Sequence, residues 1–166
     1  FDLGGPVNKA AYLFATAGLS TGDESSMQIM AAVMASGMVA PIALSLATFI
    51  RKSLFTPAEQ ENGKSAWLLG LSFVSEGAIP FAAADPFRVI PSMMAGGAVT
   101  GAVSMALSVG SRAPHGGVFV LFAIDPFWGY LVAIAAGVVV STAAVLAMKQ
   151  FWPNKAVEEA AQNVAA

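Results

Sequence analysis

Ser75-Glu76-Gly77-Ala78-Ile79-Pro80-Phe81-Ala82-Ala83-Ala84-Asp85-Pro86 decides how this chain is read. It sets a bare carboxylate, a glycine and a proline between apolar runs, Trp67 to Val74 before it and a long uncharged run after Arg88. A charge at membrane depth costs about 2.5–3.5 kcal/mol even on lenient insertion scales, so it normally faces a protein-lined cavity. Gly77 and Pro80 both weaken a continuous helix. Broken backbone at that depth is tolerated only where protein or a watery cavity satisfies its polar groups. The stretch therefore reads as the floor of a polar substrate site. The competing reading makes Glu76 a loop residue between two short spans, facing water.

Composition supports a membrane setting. Of 166 residues 57% are hydrophobic and 11% charged, with a mean hydropathy of +0.70. Soluble domains carry about 25% charged residues, the polar coat this chain lacks. The fold class is all-α and integral to a membrane, a multi-span helical bundle with broken helices or re-entrant hairpins. The net charge of −2 comes without a basic tract, so nucleic-acid binding has no support. Without cysteine there is no disulfide, no catalytic thiolate and no phosphocysteine on this chain. One histidine and no cysteine leave no metal-ligand set, and no phosphate-binding glycine motif is present. The sequence opens at Phe1 inside a Gly/Pro-rich polar motif without a signal-peptide pattern, and is expected to be part of a longer protein.

In order along the chain, Gly4-Gly5-Pro6 breaks the backbone before a short helix. Residues 1–21 form the first interrupted stretch, residues 66–84 the second and residues 114–124 the third. Three runs are long enough to span, about 27–50, 89–111 and 127–148, at about 20 residues per crossing. Pro41 is expected to kink the first. Residues 51–65 form a polar connector, and 153–166 a polar tail. Lysine and arginine beside spans favour the cytoplasmic side, so the 51–65 loop and the tail are expected there. The interrupted stretches 66–84 and 115–124 then each return to the side they entered from, as re-entrant hairpins do, with Arg112 on the outer side. Phe127, Trp128 and Tyr130 are expected as interfacial anchors at one end of the last span, with Lys149, Phe151 and Trp152 at the other. Gly97 and Gly101, continued by Ser104 and Ser108, form a small-residue stripe suited to close helix packing. Asp85-Pro86-Phe87 and Asp125-Pro126-Phe127 hint at internal repetition of the kind transporters show.

Nearly all polarity in the apolar regions gathers at three interruptions, around Asn8 and Lys9, around Glu76, and around His115. A sugar site needs groups that fork to adjacent hydroxyls on a mostly apolar wall. Glu76 suits this as an acceptor, and Asn8 both donates and accepts. Lys9 balances a carboxylate or, alternatively, snorkels to an interface. Asn8 alternatively caps the helix that follows. His115, beside Pro114 and two glycines, is either a hydrogen-bond partner or a turn residue. Asp85 and Asp125, each before a proline, read as helix-start or turn residues rather than ligands.

Gly4-Gly5-Pro6-Val7-Asn8-Lys9-Ala10-Ala11-Tyr12, the stretch from Ser75 to Pro86, and Pro114-His115-Gly116-Gly117 resemble, in order and spacing, the membrane (IIC) domain of the bacterial fructose-specific phosphotransferase system. The resemblance covers the chain as the C-terminal half of that domain, residues 1–152. Its one small departure is Ser75, where the family usually has threonine. It implies the fold of the glucose–fructose–lactose superfamily of IIC domains in the bacterial inner membrane, forming a homodimer amid lipid. It implies a phosphoenolpyruvate-dependent group translocator: phosphate passes to a IIA histidine, then a IIB cysteine, then to fructose held by IIC. No cofactor resides on this chain, because phospho-IIB is the phosphoryl donor. By position, Glu76 is the catalytic and sugar-binding candidate, with Asn8 and Lys9 as further sugar-binding residues and His115 lining the same cavity. The alternative class is a secondary transporter or channel for a small polar solute, with Glu76 as its proton or cation site.

Overall fold

A computed structural model describes residues 2–152; the polar tail expected at 153–166 lies outside the described residues. Among the described residues six α-helices run in order: α1 Pro6–Leu19, α2 Glu24–Ile50, α3 Pro57–Leu71, α4 Ile79–Ala84, α5 Pro86–Ala106 and α6 Phe127–Phe151. Among the described residues, α2, α5 and α6 are long and apolar enough to cross a membrane. The only strands there are two-residue pieces, β1 Gly110–Ser111 and β2 Ile124–Asp125, paired antiparallel.

α2 is the axis of the bundle, packing on α1, α3, α5 and α6. It is apolar around its whole circumference, the pattern of a helix enclosed by others. Met30, Met34 and Met38 fill one row and Ala31, Ala35 and Ala43 allow close neighbours, all of them buried. The helix runs on through Pro41.

α5 and α6 form the most extensive helix pair. Their backbones meet where Gly96 faces Ser141 and Gly137 faces Thr100, so that a Cβ on either glycine would collide with the opposing hydroxyl. The small-residue row against α6 thus runs through Gly96, Thr100 and Ser104, while the row expected at Gly97 and Gly101 lies toward α2, where Ser36 Oγ donates to Gly97 O at 3.0 Å and would stand 3.4 Å from a Cβ on Gly101. A Cβ on Gly97 would meet nothing within 4 Å.

Other expectations also shift. The run expected at 89–111 is helical only from Pro86 to Ala106. There Val109 N–H donates to Ser104 O and Ser108 N–H to Met105 O, both at 3.0 Å, while Ser108 takes φ +51. This double bond pattern around a left-handed residue is a Schellman stop, usually built on glycine. The 51–65 connector is not a loop throughout, because α3 begins at Pro57. Thr56 and Glu59 form a reciprocal capping box there, a Thr-x-x-Glu signature with a clear N-terminal meaning. Tyr130, expected at an interface, is fully buried and its hydroxyl lies 3.0 Å from Met38 sulfur. Lys149 is buried too, whereas Phe127, Trp128, Phe151 and Trp152 are exposed.

Lys149 at the end of α6 pairs with Glu59 at the start of α3 and Asp85 at the start of α5. The chain between α2 and α5 therefore leaves and returns to one end of the bundle. Within it α3 runs inward, the backbone turns at residues 72–78, and α4 leads back.

Candidate functional site: a cavity that collects the three interruptions

The turn carrying Glu76 is made by another Schellman stop. Val74 N–H donates to Leu69 O at 2.9 Å and Phe73 N–H to Gly70 O at 3.0 Å, with Phe73 at φ +63. A bulky residue is costly in that region, and such strain gathers at functional sites. It persists because the Phe73 ring is hemmed in: Gly37 of α2 has no room for a Cβ against it, and the His115 ring centroid lies 5.1 Å away. A 3-10 turn, Ser75–Ala78, follows. Ser75 Oγ donates to Gly37 O at 2.9 Å, and Asn62 Nδ2 donates to Gly77 O at 3.1 Å. The backbone on both sides of Glu76 is thereby pinned, to α2 and to α3, while its side chain is exposed.

The other interruptions come to the same place. A cavity of about 430 Å³ is lined by Asn8, Lys9, Glu76 and His115, together with Gly4, Tyr12, Phe73, Val74 and Ser75. All four residues singled out from the sequence lie on its wall. Tyr12 and His115 meet edge-on at 6.4 Å and Tyr12 and Phe73 at 6.1 Å, forming an aromatic side to the cavity. Gly117, at φ +58, sits so tightly on the Leu71 carbonyl that a Cβ would strike it, which holds the His115 loop against the end of α3.

Asn8 does not cap α1. Asp2 does: its Oδ2 accepts from Val7 N–H at 2.6 Å and Asn8 N–H at 3.2 Å. This satisfies orphan donors of the first turn and leaves the Asn8 side chain for the cavity. Among the described residues Lys9 and Glu76 share the wall without forming an ion pair, and no His/Cys/Asp/Glu cluster suits a metal. Chemically, the cavity offers a carboxylate acceptor, an amide, an ammonium, an imidazole and an aromatic side, the set that a polyhydroxylated ligand engages. Tyr12, Phe73 and Asn62 were not singled out in the sequence. Tyr12 lies in a quoted motif, but nothing in the sequence brings Phe73 against His115.

A second cavity of about 450 Å³ adjoins the first, sharing Asn8 and Ser75, and runs between α1, α2 and α5 past Met93, Met94 and Gly97.

The chain is 55% identical over 152 residues to the PTS system fructose-specific EIIB'BC component of Escherichia coli (strain K12), covering 90% of the chain and 26% of that protein. It is 48% identical over 162 residues to the fructose-specific EIIC component of Haloferax volcanii, covering 98% of the chain and 42% of the relative. The chain belongs to this IIC family. The fructose permease IIC component of Bacillus amyloliquefaciens is a further member, 44% identical over 145 residues, or 87% of the chain and 46% of that protein. The chain thus spans about a quarter of the fused IIC relative and less than half of the separate ones. No family model matches the chain, and no solved structure does. Family membership and the three apolar helices make it a membrane protein.

Proposed function

We propose that this IIC chain is the sugar-translocating part of a fructose phosphotransferase permease, and that the Glu76 cavity holds fructose while a IIB domain phosphorylates it. The observation that carries this reading is the convergence of Asn8, Lys9, Glu76 and His115, drawn from three distant interruptions, on one cavity wall. Support comes also from relatives named as EIIB'BC and EIIABC components, in which the B and A parts share a chain with the membrane part.

In this mechanism Glu76 accepts hydrogen bonds from adjacent sugar hydroxyls. It also takes up the proton of the hydroxyl that attacks the phosphoryl group, provided its carboxylate lies within hydrogen-bond reach of that oxygen. The phosphoryl group leaves the IIB cysteine for that oxygen, so no cofactor resides on this chain. Asn8 and Lys9 orient the sugar, and His115 bonds a hydroxyl from the opposite loop. The protein sits in the bacterial inner membrane as a homodimer in lipid, with residues 51–65 and the C-terminal tail cytoplasmic, as the placement of lysine and arginine suggests.

The test is sugar uptake by membrane vesicles from cells expressing the full-length protein, with phosphoenolpyruvate and the soluble phosphotransfer proteins present or omitted. Accumulation of fructose phosphate only when they are present is the expected result. Accumulation of free sugar that follows a proton gradient would instead make Glu76 a coupling-ion site.

A further inference from the structure

Gly4 abuts the functional end of Glu76. A Cβ built on Gly4 would lie 2.6 Å from Glu76 Cδ, 2.7 Å from Oε1 and 2.8 Å from Cγ, with Gly4 itself at φ +87. Contacts this short do not persist between nonbonded atoms, so the carboxylate occupies space that only glycine leaves free. The backbone that presents Gly4 is fixed in turn. Asp2 caps α1 through Oδ2, Gly5 N–H donates to Asp2 O at 3.3 Å, and Gly5 lies so close to the Asp2 carboxylate that it too lacks room for a Cβ. The turn of residues 2–5 is thus held by one carboxylate and pressed against another.

We infer that Gly4 is a positioning residue for the sugar site: its bare Cα sets where the Glu76 carboxylate stands in the cavity, and so sets sugar affinity. The contact falls on the far end of a flexible side chain rather than on backbone. A methyl group at residue 4 is therefore accommodated by moving the carboxylate, not by unpacking the bundle. Displacing a substrate-orienting group by about 1 Å costs on the order of 100-fold in rate when the geometry is exacting. The inference rests on the sugar-binding reading of the cavity, and its test separates the two.

The experiment uses the full-length protein carrying Gly4→Ala. Gly22→Ala serves as the control, because Gly22 also has a positive φ, +67, but a Cβ there would meet nothing within 4 Å. Both variants carry the left-handed strain of alanine, and only the first touches Glu76. Gly4→Ala is expected to raise the KM for phosphoenolpyruvate-driven fructose uptake about tenfold or more, while Gly22→Ala stays within about two-fold of the parent.

A second readout needs no transport: thermal unfolding of purified protein in detergent for Gly4→Ala, Gly22→Ala, Glu76→Ala and the Gly4→Ala, Glu76→Ala double variant. The part of the Gly4→Ala Tm loss that exceeds the left-handed strain seen in Gly22→Ala is expected to disappear when Glu76 is truncated, since contacting residues are non-additive. An excess over Gly22→Ala that is equal in both backgrounds, or no excess at all, would overturn the contact. Coupling in Tm with an unmoved KM would overturn the positioning role. Parent vesicles without phosphoenolpyruvate-dependent uptake would overturn the sugar reading instead, leaving the contact to be judged by Tm alone.

Discussion

Lys149 Nζ lies 2.9 Å from Glu59 Oε1, joining the last turn of α6 to the first turn of α3 with both side chains almost fully buried. Asp85 Oδ2 is 3.4 Å from the same ammonium, and Asp85 is in turn gripped by Arg88 Nη1 at 2.9 Å. Glu59 also accepts from Thr56 N–H at 2.8 Å. The ammonium stands 4.4 Å from the Phe55 ring centroid, and the Arg88 guanidinium 5.1 Å from that of Trp152. Among the described residues two acids and two bases meet here, in a group that ties the elbow before α5 to the bundle.

Removing one member of such a group leaves buried charge uncompensated. Lys149→Met is expected to destabilise the protein by about 3–5 kcal/mol, because Glu59 and Asp85 lose their shared cation. The exposed pair Lys64 and Glu61 offers the contrast; Glu61→Ala should cost under about 1 kcal/mol. Thermal unfolding in detergent compares the two, and equal losses would mean that the buried group is not a tie.

Glu76→Gln is expected to abolish fructose uptake while the protein still inserts and purifies as the parent does. The amide keeps the shape but loses the charge-assisted acceptor, whose hydrogen bonds are about twice as strong as neutral ones. Parent-level uptake by this variant would take Glu76 out of the site.

The α5–α6 contact makes a prediction that distinguishes neighbouring glycines. Gly137→Val should cost about 1–3 kcal/mol through overpacking against Thr100 and the Gly96 carbonyl. Gly97→Ala should be neutral or stabilising, by up to about 1 kcal/mol, since its Cβ meets open space in mid-helix. Reversal of that order in a Tm comparison would mean that the tight side of α5 is the Gly97 row and not the one facing α6.

Gly117→Ala combines a positive φ with a collision against the Leu71 carbonyl. Unlike Glu76 beside Gly4, this neighbour is backbone and cannot step aside. The variant should lose about 1–3 kcal/mol of stability and also raise the fructose KM, because the His115 loop must lift from Phe73. A KM unchanged beside a lowered Tm would show that His115 does not serve the site.

Much of this could be read before any fold was known. The apolar composition, the three long uncharged runs and the placement of Gly, Pro and charge at three interruptions are local properties. Each follows from the cost of exposing polar backbone or bare charge to hydrocarbon. That is why Glu76, Asn8, Lys9 and His115 could be named residue by residue, without knowing that they share one wall.

Tertiary structure alone decided the rest. Phe73 and Ser108 end helices in a conformation that glycine usually supplies, and only the packing around them holds them there. Glu59 and Lys149 read as polar-connector and interfacial residues. Ninety positions apart in the chain, they become a buried pair only when α3 and α6 meet. Gly4 reads as part of a breaker before α1 until the fold brings Glu76 against its Cα. Sequence determined which residues were too polar or too flexible for the bilayer. It did not determine their partners, because contact between distant segments depends on how whole helices pack and not on the residues flanking each one.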